Sequence, residues 1–168
     1  ILDGEEGLWR MCGASQYDSR MIKHLGGEWH ILETALKPWP SCRFTHTPIT
    51  AFEKIIRMNN LKPEQIDNVT VRVGKLRWGA NPQAFSSQDP KGMMDAQFCH
   101  PHAIAMIALG IRQGPEWQAP EVINDPKVRA FRKKVTVVHD PSLKVIVEDG
   151  KRKRRPTIVE VTAGGRKY

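Results

Sequence analysis

The sequence predicts an α+β domain: a mostly antiparallel sheet with helices packed on one face. Three observations predict it. Ile49, Phe52, Ile55 and Ile56 repeat at helical spacing, whereas Val69, Val71 and Val73 alternate along "IDNVTVRVG". Three further strand-like runs, "KVTVVHD", "LKVIVED" and "TIVEVTA", crowd the last third of the chain. Helix, strand, helix and then a run of strands is the order of a β-meander covered by helices.

Taken in order, residues 1–28 are poorly periodic, broken by Gly4, Gly7, Gly13, Gly26 and Gly27, with a short helix predicted over Asp18 to His24. "EWHILETAL" reads as a strand leading into a turn, although its periodicity is ambiguous. Thr47 suits a helix N-cap, Pro48 the first helical position, and "NNLKP" a stop near Asn59. "GKLRWGANPQAFSSQDPKG" is a long Gly- and Pro-rich loop. "DAQFCHPHAIAMIALG" reads as one buried helix closed by Gly110, and "NDPKVRAFRKK" as a short basic helix with Pro126 near its start. Asp149-Gly150 marks a hairpin tip between the last two strand runs. Residues 1–28 are read as a junction and 29–168 as the α+β domain. The five tryptophans fit core or hinge positions better than a base-stacking set.

At 168 residues with 40% hydrophobic content, the chain can bury a core of its own, and no apolar run is long enough for a membrane span. Cys12, Cys42 and Cys99 are odd in number and widely spaced, and no CxxC occurs. That pattern argues against a zinc site or disulfide framework and fits a reducing, cytoplasmic compartment. The net charge of +8 is concentrated in two clusters, Lys127–Lys134 and Lys151–Arg155, able to attract nucleic acid, anionic membrane or small polyanions. "ILDGEEG" opens without methionine and "VTAGGRKY" stops just after a strand-like run, as expected of a piece of a longer protein.

Chemistry concentrates in "ALKPWPSCRFTHTPITAFEKII". Pro38 and Pro40 bias Lys37 and Trp39 toward extended backbone, so Lys37, Cys42, Arg43 and His46 stand on a stiffened elbow before a helix. A helix N-terminus flanked by Lys37, Arg43 and His46 is a corner suited to carboxylates or phosphates. The blander alternative is a surface loop with solvated cations. In "FCHPHA", His100 and His102 lack the i, i+4 spacing of a helical zinc pair, so no metal is expected and proton transfer is the better functional role. "KRKRR" carries no interleaved aromatic platform and no recognised nucleic-acid motif, so nucleic acid is not the favoured partner.

Four segments together resemble one family. "LGGEWHILETALKPWPSCRFTHTPITAF" is similar to the MmgE/PrpD outline LG-x-x-W, K-x-Y/F-P-x-C/H, H-x-x-x-D-A, with Lys37, Pro40, Cys42 and His46 on matching places. "DAQFCHPHAIAMIALG" resembles its A-x-F-S-x-x-Y-x-x-A helix through Phe98, Cys99, His102 and Ala105. "NDPKVRAFRKKVTVVHD" and "DGKRKRRPTIVEVTAGGRKY" resemble its D-P-x-V and D-G segments. The likeness runs in order along nearly the whole chain.

The family comprises 2-methylcitrate dehydratase, cis-aconitate decarboxylase and iminodisuccinate epimerase, with a large helical domain, a smaller α+β lid and the active site between them. The resemblance implies the lid portion of a cofactor-free lyase, with a hydro-lyase acting on a di- or tricarboxylate as the default. Its partners would be that substrate and the helical domain of the same enzyme, in a homodimer, and the lid alone would be inactive. Such chemistry builds carbanion-like charge next to a carboxylate, which held cations stabilise while an acid or base moves the proton. Lys37, His46 and Cys42 then become the catalytic candidates, with Arg43 and His102 binding substrate. Three departures leave substrate and reaction subtype open: Cys42 where some members have histidine, His102 for tyrosine, and Thr50 for aspartate. Cys99 in the serine position is a milder change. A decarboxylase, an epimerase, a non-enzymatic basic binding module and a pseudoenzyme remain the alternatives.

Overall fold

The computed structural model describes residues 7–13, 23, 25–27, 29–74, 85–148 and 152–168. The predicted helix over Asp18 to His24, Trp78 with most of the long loop, and the Asp149-Gly150 tip lie outside the described residues. The backbone divides into two compact units, Ile1–Leu36 and Lys37–Tyr168.

The first unit contains a short helix, α1 (Leu8–Met11), and a 3-10 turn over His30–Glu33. The strand expected across Glu28 to Leu36 does not form over its described residues, Trp29 to Leu36. Leu32 N–H donates to Trp29 O and Thr34 N–H to Ile31 O, and these short-range bonds use backbone groups that a strand would offer sideways.

The second unit opens with the elbow and a long helix, α2 (Arg43–Met58). The helix begins four residues before the expected Thr47 N-cap. Cys42 is the N-cap, its N–H bonded to Gln97 O at 2.8 Å, and Pro48 lies inside the helix. A proline there cannot donate to Phe44 O. His100 Nε2, 3.3 Å from that carbonyl, faces the group that Pro48 leaves unmet. Asn60, with φ of 50°, takes the left-handed conformation that ends the helix, a conformation asparagine tolerates better than most residues.

Strand β1 (Ile66–Val73) follows. The region predicted as one helix is two, α3 (Met93–Phe98) and α4 (His100–Ala108), because Cys99 between them has extended backbone. Its sulfur accepts the His102 N–H and so caps α4. Helices α5 (Pro120–Ile123) and α6 (Pro126–Arg132) come next, and the Asp125 side chain caps α6 by accepting from the Lys127 and Val128 N–H groups. The remaining strands are β2 (Val135–His139), β3 (Ile146–Glu148), β4 (Arg152–Arg154), β5 (Thr157–Ala163) and β6 (Arg166–Lys167).

The fold is α+β as predicted, with a mostly antiparallel sheet whose topology departs from a meander. The main sheet has the order β2-β1-β5-β6, with β1 and β2 parallel and the other pairs antiparallel. The expected hairpin between "LKVIVED" and "TIVEVTA" is replaced by a separate two-stranded sheet of β3 and β4. β5 instead pairs with β1, where Val159 and Val161 stand opposite Val71 and Val69. A register irregularity between Ile66 and Asn68 lets both Ile66 and Val69 turn inward despite a spacing of three.

Helices α2, α4 and α6 cover the inner face. Phe52, Ile49, Ile104, Met106, Val128 and Phe131 pack against Val69, Val71, Val135 and Val161. On the outer face Arg72 Nε meets Glu160 Oε2 at 3.0 Å, both side chains well exposed, an ion pair of only modest stabilising value. Among the described residues, no helix is long and apolar enough to cross a membrane.

Candidate functional site

The elbow is pinned from two sides. Ser41 N–H donates to Trp39 O, closing a tight turn around Pro40. Gln118 Nε2 donates to Pro40 O at 2.5 Å, and the Cys42–Gln97 backbone bond holds the other end. Ser41 Oγ and Thr45 Oγ1 lie 2.7 Å apart, and Thr45 Oγ1 donates to Cys42 O. The residues after Pro38 are therefore fixed by tertiary contacts as well as by proline.

Two hollows flank this segment. The first, about 570 Å³, is lined by Lys37, Trp39, Cys42, Gln97, Gln113 and Gln118 among others. Lys37 is exposed on it, and Cys42 is half-buried. The second, about 490 Å³, is lined by Arg43, His46, Thr47, Arg154, Arg155 and Thr157, with Phe44, Ile146 and Pro156. The elbow residues thus divide into two sets: Lys37 and Cys42 on one hollow, Arg43 and His46 on the other.

His46 stands between them structurally. Its ring meets the Trp39 ring edge to face, centroids 5.3 Å apart, and its Nε2 lies 3.2 Å from Ser41 O. With Nε2–H donating to that carbonyl, Nδ1 keeps its lone pair. Burial pushes the His46 pKa below the usual 6.5, and the nearby charges of Arg43 and Lys37 push the same way, against the opposing backbone bonds to Ser41 and Trp39. His46 is therefore a neutral imidazole at pH 7, able to accept a proton.

His102 occupies the interior. Its Nε2 lies 2.6 Å from Trp117 O, and its Nδ1 3.3 Å from Arg132 Nη1. A guanidinium only donates, so Nδ1 accepts and Nε2 carries the proton. Burial lowers the His102 pKa to about 4, with the Arg132 charge adding to the effect. Arg132 is 1% exposed, and its Nη1 also donates to Ile123 O. The His102 ring lines neither of the two hollows beside the elbow.

Cys99 is equally interior. Its thiol donates to Ser87 O at 2.9 Å, and burial pushes its pKa up to about 12. His100, buried against Phe85 and Phe44, has each ring nitrogen on a backbone carbonyl. Among the described residues, no group of three or more His, Cys, Asp or Glu could hold a metal ion.

Sequence reasoning missed Arg154 and Arg155 as members of the second hollow. The basic run was visible, but its assignment to a solvated hairpin tip concealed that β3 and β4 fold back beside the first turn of α2.

The profile of the MmgE/PrpD C-terminal domain matches residues 39–168, from Trp39 on the elbow to the end of the chain. The chain belongs to the MmgE/PrpD family. The match spans α2, the whole sheet, the second hollow and the lining of the first apart from Lys37 and Pro38, so the expected C-terminal portion of that family is the part present here. Members of the MmgE/PrpD family are generally lyases or isomerases. No curated protein matches the chain.

Proposed function

We propose that this MmgE/PrpD domain serves a cofactor-free lyase acting on a di- or tricarboxylate, with removal of water, as in a 2-methylcitrate dehydratase, the leading reaction. The observation that carries the reading is His46: a neutral imidazole facing a hollow that also holds Arg43, with Lys37 close enough to depress its pKa. A base in that state takes a proton from carbon beside a carboxylate, and the surrounding cations stabilise the charge that builds on the substrate.

In this reading Arg43 binds a substrate carboxylate, because a guanidinium fork matches its two oxygens. Lys37 and Cys42, on the adjoining hollow, face the leaving group, and the Lys37 ammonium stabilises developing negative charge. The helical domain of the same enzyme, in a homodimer, closes over the elbow and completes the site. His102 is given no substrate contact, since both ring nitrogens already have partners within the core.

The reading is tested by turnover of di- and tricarboxylates with the enzyme that carries the helical domain. Lys37→Ala is expected to lose most activity while the melting temperature changes little, because Lys37 is exposed and outside the core. Wild-type turnover by Lys37→Ala removes Lys37 from the mechanism.

A further inference from the structure

The basic run at the end of β4 is unexplained by the elbow chemistry, and its position assigns it a task. Arg154 ends β4, and Arg155 and Pro156 lead directly into β5. This link runs beside the first turn of α2, so Arg154 and Arg155 line the same hollow as Arg43, His46 and Thr47. Three guanidinium-bearing residues from two distant parts of the sequence thus meet around one volume of about 490 Å³, within the size range of small-molecule sites.

Arg155 is held in a defined place. Its guanidinium lies over the Phe44 ring, 4.6 Å from the centroid. Phe44 is itself fixed against Phe85, ring centroids 6.0 Å apart. Arg155 is half-buried, and among the described residues no carboxylate lies within ion-pair distance of it. A guanidinium stacked on an aromatic face keeps its in-plane N–H groups for an acceptor. The Thr47 and Thr157 hydroxyls, on the helix and the sheet, line the same hollow and can donate to further oxygens.

The geometry points to a carboxylate-binding subsite built by Arg43, Arg154 and Arg155, in which Arg155 sets specificity for substrates carrying a second carboxylate. The inference rests on the proposed reaction and deepens it. His46 acts at the reacting carbon, and the arginines of β4 and its link to β5 take a carboxylate away from that carbon. A monocarboxylate bound at the reacting carbon makes no contact with Arg155 and binds weakly. Arg154 and Arg155 are thus a recognition element for small polyanions, in contrast to a nucleic-acid stripe.

The test uses tricarballylate, an unreactive tricarboxylate, and propionate as the monocarboxylate control, titrated into the chain by NMR at matched ionic strength. Tricarballylate is expected to shift the Arg155 Nε–H and Thr47 amide signals. Arg155→Gln is expected to weaken its binding about tenfold or more, and Arg155→Lys to weaken it less, because charge is kept and the fork lost. Propionate binding should change little in either variant. Tricarballylate binding that is indifferent to Arg155→Gln, or that shifts only the Lys127–Lys134 cluster, overturns the inference. Kinetics of the enzyme with its helical domain separate this inference from the reaction on which it rests. Turnover of polycarboxylates with an unchanged KM in Arg155→Gln overturns the subsite and leaves the reaction standing. Arg155-dependent tricarballylate binding, with no polycarboxylate turned over, supports the subsite and rejects the reaction.

Discussion

Acidification should destabilise this domain through a histidine outside the proposed chemistry. His102 is 1% exposed and has a folded-state pKa of about 4 against 6.5 for the free side chain. Protonation of Nδ1 would set a new N–H against the Arg132 guanidinium that now donates to it. The folded pKa is depressed, so the stabilising contribution is fully present above pH 6.5. It is lost progressively as pH falls from 6.5 toward 4, because the unfolded chain takes up the proton first. The difference between 6.5 and about 4 corresponds to a loss of about 2 kcal/mol at pH 5, from about 1.4 kcal/mol per pKa unit. That is a large share of the stability of a typical domain. Urea denaturation of the chain at half-unit steps from pH 7 to pH 4.5 measures the effect. His102→Gln keeps an amide donor for Trp117 O and cannot titrate. Its stability should fall less steeply with acid, by about one proton's worth of slope, whatever its absolute stability. Equal slopes in the wild type and His102→Gln would refute the buried, neutral His102.

Two other outcomes follow from the same electrostatics. The kcat/KM of the enzyme with its helical domain should fall on the acid side with an apparent pKa below 6.5, since burial, Arg43 and Lys37 all disfavour protonated His46; a pH–rate profile with that limb above 7 contradicts the assignment. Thiol titration with an aromatic disulfide should modify exposed Cys12 in the native protein, whereas Cys99, buried with a pKa of about 12, should react only after unfolding.

The fold was legible where burial alone sets the pattern. Val69, Val71 and Val73 alternate because one face of β1 meets the helices, and Ile49, Phe52 and Ile56 repeat because one face of α2 meets the sheet. Legibility failed where distant residues decide. Pro48 reads as a helix start, yet it is tolerated inside α2 with His100 facing the carbonyl it leaves unpaired. Nothing near Pro48 in the sequence announces that partner. The break at Cys99 was hidden by continuous apolar residues on either side, and the parallel pairing of β1 with β2 was hidden by the long connection between them.

The candidate site was legible in part for the same reason. Proline spacing and residue type singled out the elbow, and the structure pins it through Gln97 and Gln118, neither of which the sequence had marked. Cys42 and Arg43 are adjacent in sequence but line different hollows, because the chain turns from the extended elbow into α2 at this point. His102 fell on a family position and yet lies in the core, where Trp117 O and Arg132 hold its ring.

The central claim, that His46 moves a proton at carbon beside a bound carboxylate, is tested most directly by solvent deuterium exchange into a polycarboxylate substrate. The assay compares wild-type enzyme carrying the helical domain with His46→Gln. The account predicts that exchange falls by a factor on the order of 10² to 10⁴ in the variant, with the fold intact. Exchange at the wild-type rate in His46→Gln would contradict it.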